Sequence, residues 1–174
     1  RHNLCMSDIA QEANYEEGEG TIIPFDQLPG LLSVRNNLPR FLGAKATALQ
    51  GEGNRYHNPK TCYIGWHGDK ERKIAVGLRF GEPMTLHYHW FEDWAPIGQL
   101  LTVVLNHGDI YVMSEKATGN DWGFPSFPTL RHSAGPNKFT VDLLNEMRQK
   151  REKRLSNQQE RKRIKKETKE QEKK

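Results

Sequence analysis

A succession of short segments rich in aromatic and β-branched residues, separated by turn-forming residues, constrains the fold of this chain most strongly. The pattern predicts strands near residues 45–50, 61–67, 73–80, 85–91, 100–106, 109–114 and 128–133, with another near 137–141. Ahead of them, residues 31–42 favour a short helix that is interrupted at Pro39. Many short strands with turns between them indicate a mainly β (α+β) domain built as a sandwich or barrel.

The length of 174 residues suits one domain with an appendage. Residues 1–20 are polar and acidic and predict a flexible lead-in, residues 21–141 predict the β domain, and residues 142–174 predict a charged helix or tail without Gly or Pro. Leu143, Leu144 and Met147 have helical spacing and are expected to pack on the β domain.

Charge is distributed unevenly along the chain. Residues 141–174 contain 13 lysines and arginines against 7 acids, a net charge of +6, which leaves −2 for residues 1–140. The β domain therefore has no excess positive charge with which to neutralise phosphates, and any such contact falls to the tail. The usual interpretation of such a charge run is a solvated helix, with a basic contact arm as the alternative.

Composition also bears on the cellular compartment. No apolar run reaches the roughly 18–20 residues that cross a bilayer, and the first residues lack the apolar stretch of a secretory signal. The two cysteines, Cys5 and Cys62, fit a reducing compartment better than a disulfide scaffold, although one bridge is compatible with the sequence. We therefore expect an intracellular protein, cytoplasmic or nuclear, that does not contact a membrane.

His67 and Asp69 are the first candidates for metal ligands. Two residues apart on an extended strand, they project to the same face and can share one ion. A two-histidine, one-carboxylate site needs a second histidine from a distant strand, and His132 has a suitable position. A solvated histidine beside a turn aspartate is the alternative. His87 and His89 also stand two apart, but they lack a carboxylate partner and are expected to be ordinary strand histidines.

Several motifs occur in one order over residues 44–140: Asn54-Arg55-Tyr56, His67-Gly68-Asp69, the strand that ends at Gly81, His107-Gly108-Asp109 and His132. This order resembles the AlkB-like branch of the Fe(II)- and 2-oxoglutarate-dependent dioxygenases. The resemblance implies a double-stranded β-helix, a squashed jelly-roll barrel. It also implies catalytic Fe(II) held by His67, Asp69 and His132, with O₂ and 2-oxoglutarate as cosubstrates, the latter hydrogen-bonded by Asn54 and Tyr56.

The chain departs from that family where the far carboxylate of 2-oxoglutarate is anchored. The family has an arginine on the strand after the distal histidine, whereas residues 137–141 contain none. A buried dicarboxylate needs a matched cation. Arg79 is favoured, since alternation places it on one face with the small residues Ala75 and Gly77. The alternatives are Lys138 and Arg131.

The expected function is an oxygenase that converts 2-oxoglutarate to succinate and CO₂ while it hydroxylates a C–H bond of a nucleic-acid base, with demethylation where that carbon is an N-methyl group. Aromatic residues between Glu115 and Pro128 are expected to be core or a lid that stacks on the base. The nucleic acid would contact the mouth of the site and the basic tail, and a protein partner would contact the C-terminal helix. The alternatives are a hydroxylase of a protein side chain or small molecule, and a catalytically silent barrel that serves as a binding or assembly module.

Overall fold

The computed structural model describes residues 1–124 and 126–171. Its strands are β1 (His2–Ser7), β2 (Ile22–Pro24), β3 (Gly51–Arg55), β4 (Ile64–His67), β5 (Ile74–Leu78), β6 (Met84–Glu92), β7 (Ala95–Leu105), β8 (Ile110–Ser114) and β9 (Thr129–Ala134). Its α-helices are α1 (Pro29–Leu42), α2 (Glu115–Thr118) and α3 (Val141–Gln171). Short 3₁₀ turns occupy Phe25–Gln27, Ala44–Ala46 and Asn137–Phe139.

The strands form three sheets. The largest is antiparallel with the order β4-β9-β6-β7, β5 and β8 form a two-stranded ribbon, and a three-stranded sheet has the order β2-β1-β3. The predicted α+β class with a C-terminal helix is therefore confirmed, whereas the described residues do not close into a barrel.

Side chains along β6 alternate between the two faces of the four-stranded sheet, and both faces are covered. On one face, Leu86 is buried with Leu105 and Met113, and Tyr88 and Tyr111 pack against this cluster. On the other face, His89 and Phe91 are completely buried beside the ring of Trp66. A strand buried on both faces has little freedom to slip, which holds its register.

Helix α3 is attached to the second face by its first turns only. Leu144 is completely buried, the indole of Trp66 donates to the Thr140 carbonyl (2.9 Å), and Arg148 donates to the Gly98 carbonyl (2.8 Å). From residue 152 onward every residue whose exposure is described is exposed. Residues 172–174 of the predicted tail lie outside the described residues.

Three local predictions were wrong. Residues 44–46 form a 3₁₀ turn, and the strand begins at Gly51 because Gly51–Arg55 is the segment that pairs with β1. That same pairing orders residues 2–7, which were predicted to belong to a flexible lead-in. Residues 137–139 form a 3₁₀ turn leading into α3 instead of a strand, since the chain turns there to cover the sheet.

Helix α1 runs without a break through Pro39, although an interruption was predicted there. Its anchor is Arg35, which makes a two-pronged ion pair with Asp8 (2.7 Å for each bond), donates to the Leu49 carbonyl (2.7 Å) and stacks on Phe25. These tertiary contacts offset the loss of the single backbone hydrogen bond that a proline cannot donate within the helix.

Both cysteines are free thiols, Cys5 at the surface and Cys62 buried. Within the described part of the chain, no helix combines the length and the apolar character needed to cross a bilayer.

Candidate metal centre

Sheet pairing brings the three predicted ligands together. β4 and β9 are antiparallel and His67 lies directly opposite His132, so both imidazoles project from the same face of the sheet. Asp69 follows two residues after His67, just past the end of β4. One donor atom from each of the three residues lies within 4.8 Å of the other two.

The Asp69 carboxylate stands between the two rings. Its Oδ1 is 3.8 Å from Nε2 of His67, and its Oδ2 is 3.8 Å from Nε2 of His132. Nδ1 of His67 lies 2.8 Å from the Gly65 carbonyl, which can only accept. Nδ1 must therefore hold a proton, and the neutral ring has its lone pair on Nε2, facing the cluster.

Burial prepares His132 and Asp69 for a cation. The His132 side chain is 8% exposed, and burial, followed by the charges of His67 and Arg72, lowers its pKa to about 4. The ring is therefore neutral at pH 7 and free to donate its lone pair. Burial also raises the pKa of the Asp69 carboxyl, against the opposing charge of Arg72. A metal ion would relieve the cost of ionising that carboxylate.

The donor set is suited to a divalent transition metal. Two imidazole nitrogens and one carboxylate oxygen form the combination typical of non-haem Fe(II) sites that leave coordination positions open. The His67 side chain is 31% exposed whereas that of Asp69 is 13% exposed, so the cluster opens to solvent on the His67 side.

The chain around Asp69 is held by backbone contacts. The Asp69 amide donates to the Thr118 carbonyl (2.8 Å), and the buried Thr118 hydroxyl donates to the Arg72 carbonyl (2.8 Å). A Cβ at Gly68 would lie 2.8 Å from Trp122, closer than a side chain tolerates. Helix α2 and the segment after it therefore fix the position of the carboxylate, and only glycine fits between the first two ligands.

Asn54 belongs to a polar network that leads to Asp69. Arg72 donates to Asp69 Oδ2 (3.3 Å) and to Glu52, and Asn54 donates to Glu52 (3.0 Å). The amide oxygen of Asn54 accepts from Asn3 (3.3 Å) and from Arg1. Asn54 thus lies two side chains away from the carboxylate of the metal cluster.

Arg79 and Tyr56 lie near each other on the ribbon side of the cluster. Burial raises the pKa of Tyr56 to about 12, while the charge of Arg79 acts in the opposite direction on Tyr56 and also on Tyr111. The Arg79 guanidinium donates to the Glu82 carbonyl, and its buried Nε has no partner among the described residues. No acid in the described part of the chain forms an ion pair with it.

The two alternative cations lie elsewhere. Lys138 is exposed in the 3₁₀ turn Asn137–Phe139, with its ammonium 5.5 Å from the ring centre of Phe139. Arg131 is 5% exposed, and its guanidinium lies over three aromatic rings, 4.4 Å from Phe91, 5.0 Å from Trp94 and 5.3 Å from Trp122. Arg131 neighbours His132 on β9 but projects from the opposite face of the strand.

His87 and His89 also lie on the face opposite the cluster. His87 Nδ1 is 3.2 Å from the Thr102 hydroxyl. His89 Nδ1 is 2.7 Å from the Trp90 carbonyl, and Arg148 lies 2.6 Å from its Nε2. The described residues place no carboxylate with them in a metal-binding group.

Tyr111 and Tyr88 are part of this site, and sequence reasoning missed them. Burial raises the pKa of both phenols, and the negative charge of Asp69 raises it further. The ring centre of Tyr88 is 5.9 Å from that of His132. Tyr111 pairs with Gly77 across β5 and β8 and occupies the space that a side chain at Gly77 would need. Gly77 and Tyr111 lie in two predicted strands, but the pairing of these strands was not predicted from the sequence, and that pairing is what sets the glycine opposite the tyrosine.

Comparison with known proteins finds a relative in Acanthamoeba polyphaga mimivirus, itself described as uncharacterized, that is 42% identical over 139 residues. The match covers 80% of this chain and 54% of the relative, so the chain spans about half the length of the protein it matches. No protein-family model matches the sequence. No solved structure matches it either.

Proposed function

We propose that this chain is an Fe(II)- and 2-oxoglutarate-dependent dioxygenase domain with a double-stranded β-helix arrangement of its strands. The observation that carries the proposal is the cluster of His67, Asp69 and His132, whose donor atoms lie within 4.8 Å of one another. Two of the ligands come from paired strands and the third from the adjacent loop, so the fold itself, and not chance proximity, holds them.

When bound, Fe(II) with 2-oxoglutarate would supply the oxidation of a substrate C–H bond by O₂, with release of succinate and CO₂. The residues of the chain do the rest. His67 and His132 offer imidazole Nε2 atoms, and Asp69 supplies the one negative charge. Arg72 orients the Asp69 carboxylate through one oxygen.

Arg79 is the proposed anchor for the far carboxylate of 2-oxoglutarate. It is a partly buried cation that has no acidic partner in the described residues and lies near Tyr56 and Tyr111. Burial raises the pKa of the Tyr111 phenol, while the charge of Arg79 lowers it and that of Asp69 raises it, so this phenol interacts with both the proposed anchor and a proposed ligand. Tyr56 and Tyr111 keep their protons at neutral pH, because burial raises the pKa of both, and so they can donate hydrogen bonds to a carboxylate. Asn54 would assist through its network to Asp69.

The proposed substrate is a nucleic-acid base. Trp94, Phe124 and Phe127 present exposed rings around the segment that contains Trp122, the residue that packs on Gly68. Lys116 lies over the rings of Trp90 (5.4 Å) and Phe127 (5.7 Å). Lys116 is paired with Asp121, so the rings themselves are the groups that would contact a base, by stacking.

Anaerobic calorimetry with Fe(II) tests the metal site. Replacement of a ligand, for example His132→Ala, is expected to weaken Fe(II) binding by more than about a hundredfold, which exceeds the 10–100-fold typical of changes to residues that only support ligands. The matched control is His57→Ala, an exposed histidine that stacks on His2 outside the cluster. Unchanged Fe(II) affinity in His132→Ala would remove this residue from the site.

Succinate formation tests the oxygenase chemistry separately. The wild-type protein with Fe(II), O₂ and 2-oxoglutarate is expected to form succinate slowly without a substrate, and His67→Ala and Asp69→Ala are expected to form none. Tight Fe(II) binding without succinate would contradict the oxygenase proposal and favour a silent domain that serves as a binding module.

A further inference from the structure

The exposed part of α3 has its charges segregated onto different faces. At about 100° per residue, Lys150, Arg154, Arg161 and Lys165 fall within a sector about 60° wide, with Lys162 and Lys169 beside it. We call the four central residues the basic stripe. Glu160 and Glu167 lie on another face, where Arg163 pairs with both (2.8 and 3.7 Å). The acids thus neutralise a cation outside the stripe and leave the stripe itself uncompensated.

The basic stripe is exposed and unpaired. All four of its residues are exposed, and none forms an ion pair within the described residues. At about 1.5 Å per residue, the span from Lys150 to Lys165 is about 22 Å, or about six to seven base pairs of a duplex at about 3.4 Å each. A rigid row of cations of this length is complementary to a regular array of phosphates.

The composition of α3 argues against other partners. In the described part of the helix beyond its docked turns, Leu155 and Ile164 are the exposed large apolar residues, and they lie on opposite sides, so this part presents no apolar face to a membrane or a second helix. The helix contains no aromatic residue, so it has no ring on which the bases of a single strand could stack. What remains is contact with the phosphates of a regular duplex.

We propose that α3 binds the backbone of a nucleic-acid duplex through the basic stripe, without reading its base sequence. The turns docked on the sheet, held by Leu144 and Arg148, fix the direction in which the stripe leaves the domain. The binding needs neither metal nor 2-oxoglutarate, because the stripe does not include any residue of the metal centre. A His132→Ala protein should therefore bind the duplex as the wild type does.

The test measures binding of the full chain to a 20-base-pair DNA duplex of mixed sequence by fluorescence anisotropy, over a series of NaCl concentrations. The double variant Arg154→Gln/Lys165→Gln removes two stripe cations. Each lost phosphate contact lowers the slope of log affinity against log salt by about 0.9, so we expect a slope smaller by about 1.8 and an affinity lower by tenfold or more at about 0.1 M NaCl.

The matched control is Arg163→Gln/Lys166→Gln, which makes the same change of charge and residue types on the side of the helix away from the stripe. It should change the affinity by less than about twofold, apart from a small general effect of net charge. Equal loss in both variants would overturn the proposal, since net charge alone would then explain binding. Tighter binding to single-stranded DNA or to vesicles of anionic lipid than to the duplex would also overturn it.

Circular dichroism checks that each variant keeps its helix, which glutamine supports well. If Arg154→Gln/Lys165→Gln loses helical signal, the second stripe pair, Lys150→Gln/Arg161→Gln, is compared with the same control. Wild-type affinity in a fully helical stripe variant would contradict the assignment.

Discussion

At the scale of single residues, Gly77 shows how one missing side chain makes room for the site. A Cβ at this position would overlap the ring of Tyr111 on the neighbouring strand. Gly77→Ala is therefore expected to destabilise the fold by about 1–3 kcal/mol through overpacking, or to displace Tyr111. Urea unfolding followed by tryptophan fluorescence measures the change.

Gly53→Ala is the comparison for this prediction. A Cβ there meets its nearest neighbour, the Met6 side chain, at 3.6 Å, an ordinary contact. Gly53→Ala should therefore lower the stability of the fold much less than Gly77→Ala does. Equal stability of the two variants would mean that Tyr111 moves aside at no cost and that Gly77 does not shape the site.

Arg79 and Lys138 are the two candidates for the anchor of 2-oxoglutarate under the proposed function. Loss of one partner of a buried charge pair costs about 3–5 kcal/mol, so Arg79→Met should raise the apparent 2-oxoglutarate constant by about a hundredfold or more and leave Fe(II) binding intact. Lys138→Met should change it little, because Lys138 is exposed on the 3₁₀ turn. Calorimetry with 2-oxoglutarate on the Fe(II)-loaded protein distinguishes the two variants. A larger loss of affinity in Lys138→Met than in Arg79→Met would assign the anchor to Lys138.

At the scale of elements, the ion pair of Asp8 with Arg35 joins the segment after β1 to α1. The hydrogen bond from Arg35, the largest cause, holds the pKa of the Asp8 carboxyl below its usual 3.8. A pKa that is lower in the folded state contributes stability above the unfolded pKa, and this contribution is lost as the pH falls through the folded pKa. The pair should therefore stabilise the protein fully at neutral pH and progressively less below about pH 3.8.

The measurement is the difference in unfolding free energy between the wild type and Asp8→Asn at neutral pH and at pH values under 3.8. The difference should shrink as the pH falls. The control for the substitution itself is Asp26→Asn, at an exposed aspartate without an ion pair in the described residues. A difference that stays constant with pH would show that the bridge does not couple protonation to folding.

At the scale of the whole molecule, α3 has a docked part and a projecting part, and the boundary falls near Leu155. The sequence predicts that Leu143, Leu144 and Met147 pack on the β domain; in the structure Leu144 is completely buried whereas Leu143 is exposed, and Arg148 and Arg151 also contact the sheet. Deletion of residues 157–174 should therefore leave the melting temperature almost unchanged, since every residue of this segment whose exposure is described is exposed. Leu144→Ala should cost about 2–5 kcal/mol, because it opens a cavity under the helix.

Differential scanning calorimetry of the two variants checks this boundary. A truncated protein that melts much earlier than the full chain would show that the projecting turns contribute to folding.

Much of the fold was predictable where patterns are local. Six predicted segments coincide with strands of the structure, because alternation of buried and exposed residues and the turn signals between them act within a few neighbouring residues. The strand near 45–50 and the one near 137–141 were wrong for the opposite reason. Pairing with β1 decides the first segment, and the hydrogen bond from Trp66 to the Thr140 carbonyl holds the second against the sheet. Both β1 and Trp66 are distant in sequence from the segments that they fix.

The sequence by itself determined the α+β class, the charged C-terminal helix and the identity of His67, Asp69 and His132 as candidate ligands. Strand alternation, helix composition and donor spacing can each be recognised within a short stretch of the sequence. Only the tertiary structure decided that β4 and β9 pair with His67 opposite His132, that Tyr88 and Tyr111 join the site, and that Arg79 lies near Tyr56 without an acidic partner. Distances between strands far apart in sequence depend on the register of sheets and on side-chain packing, and these follow from the burial of the whole chain at once.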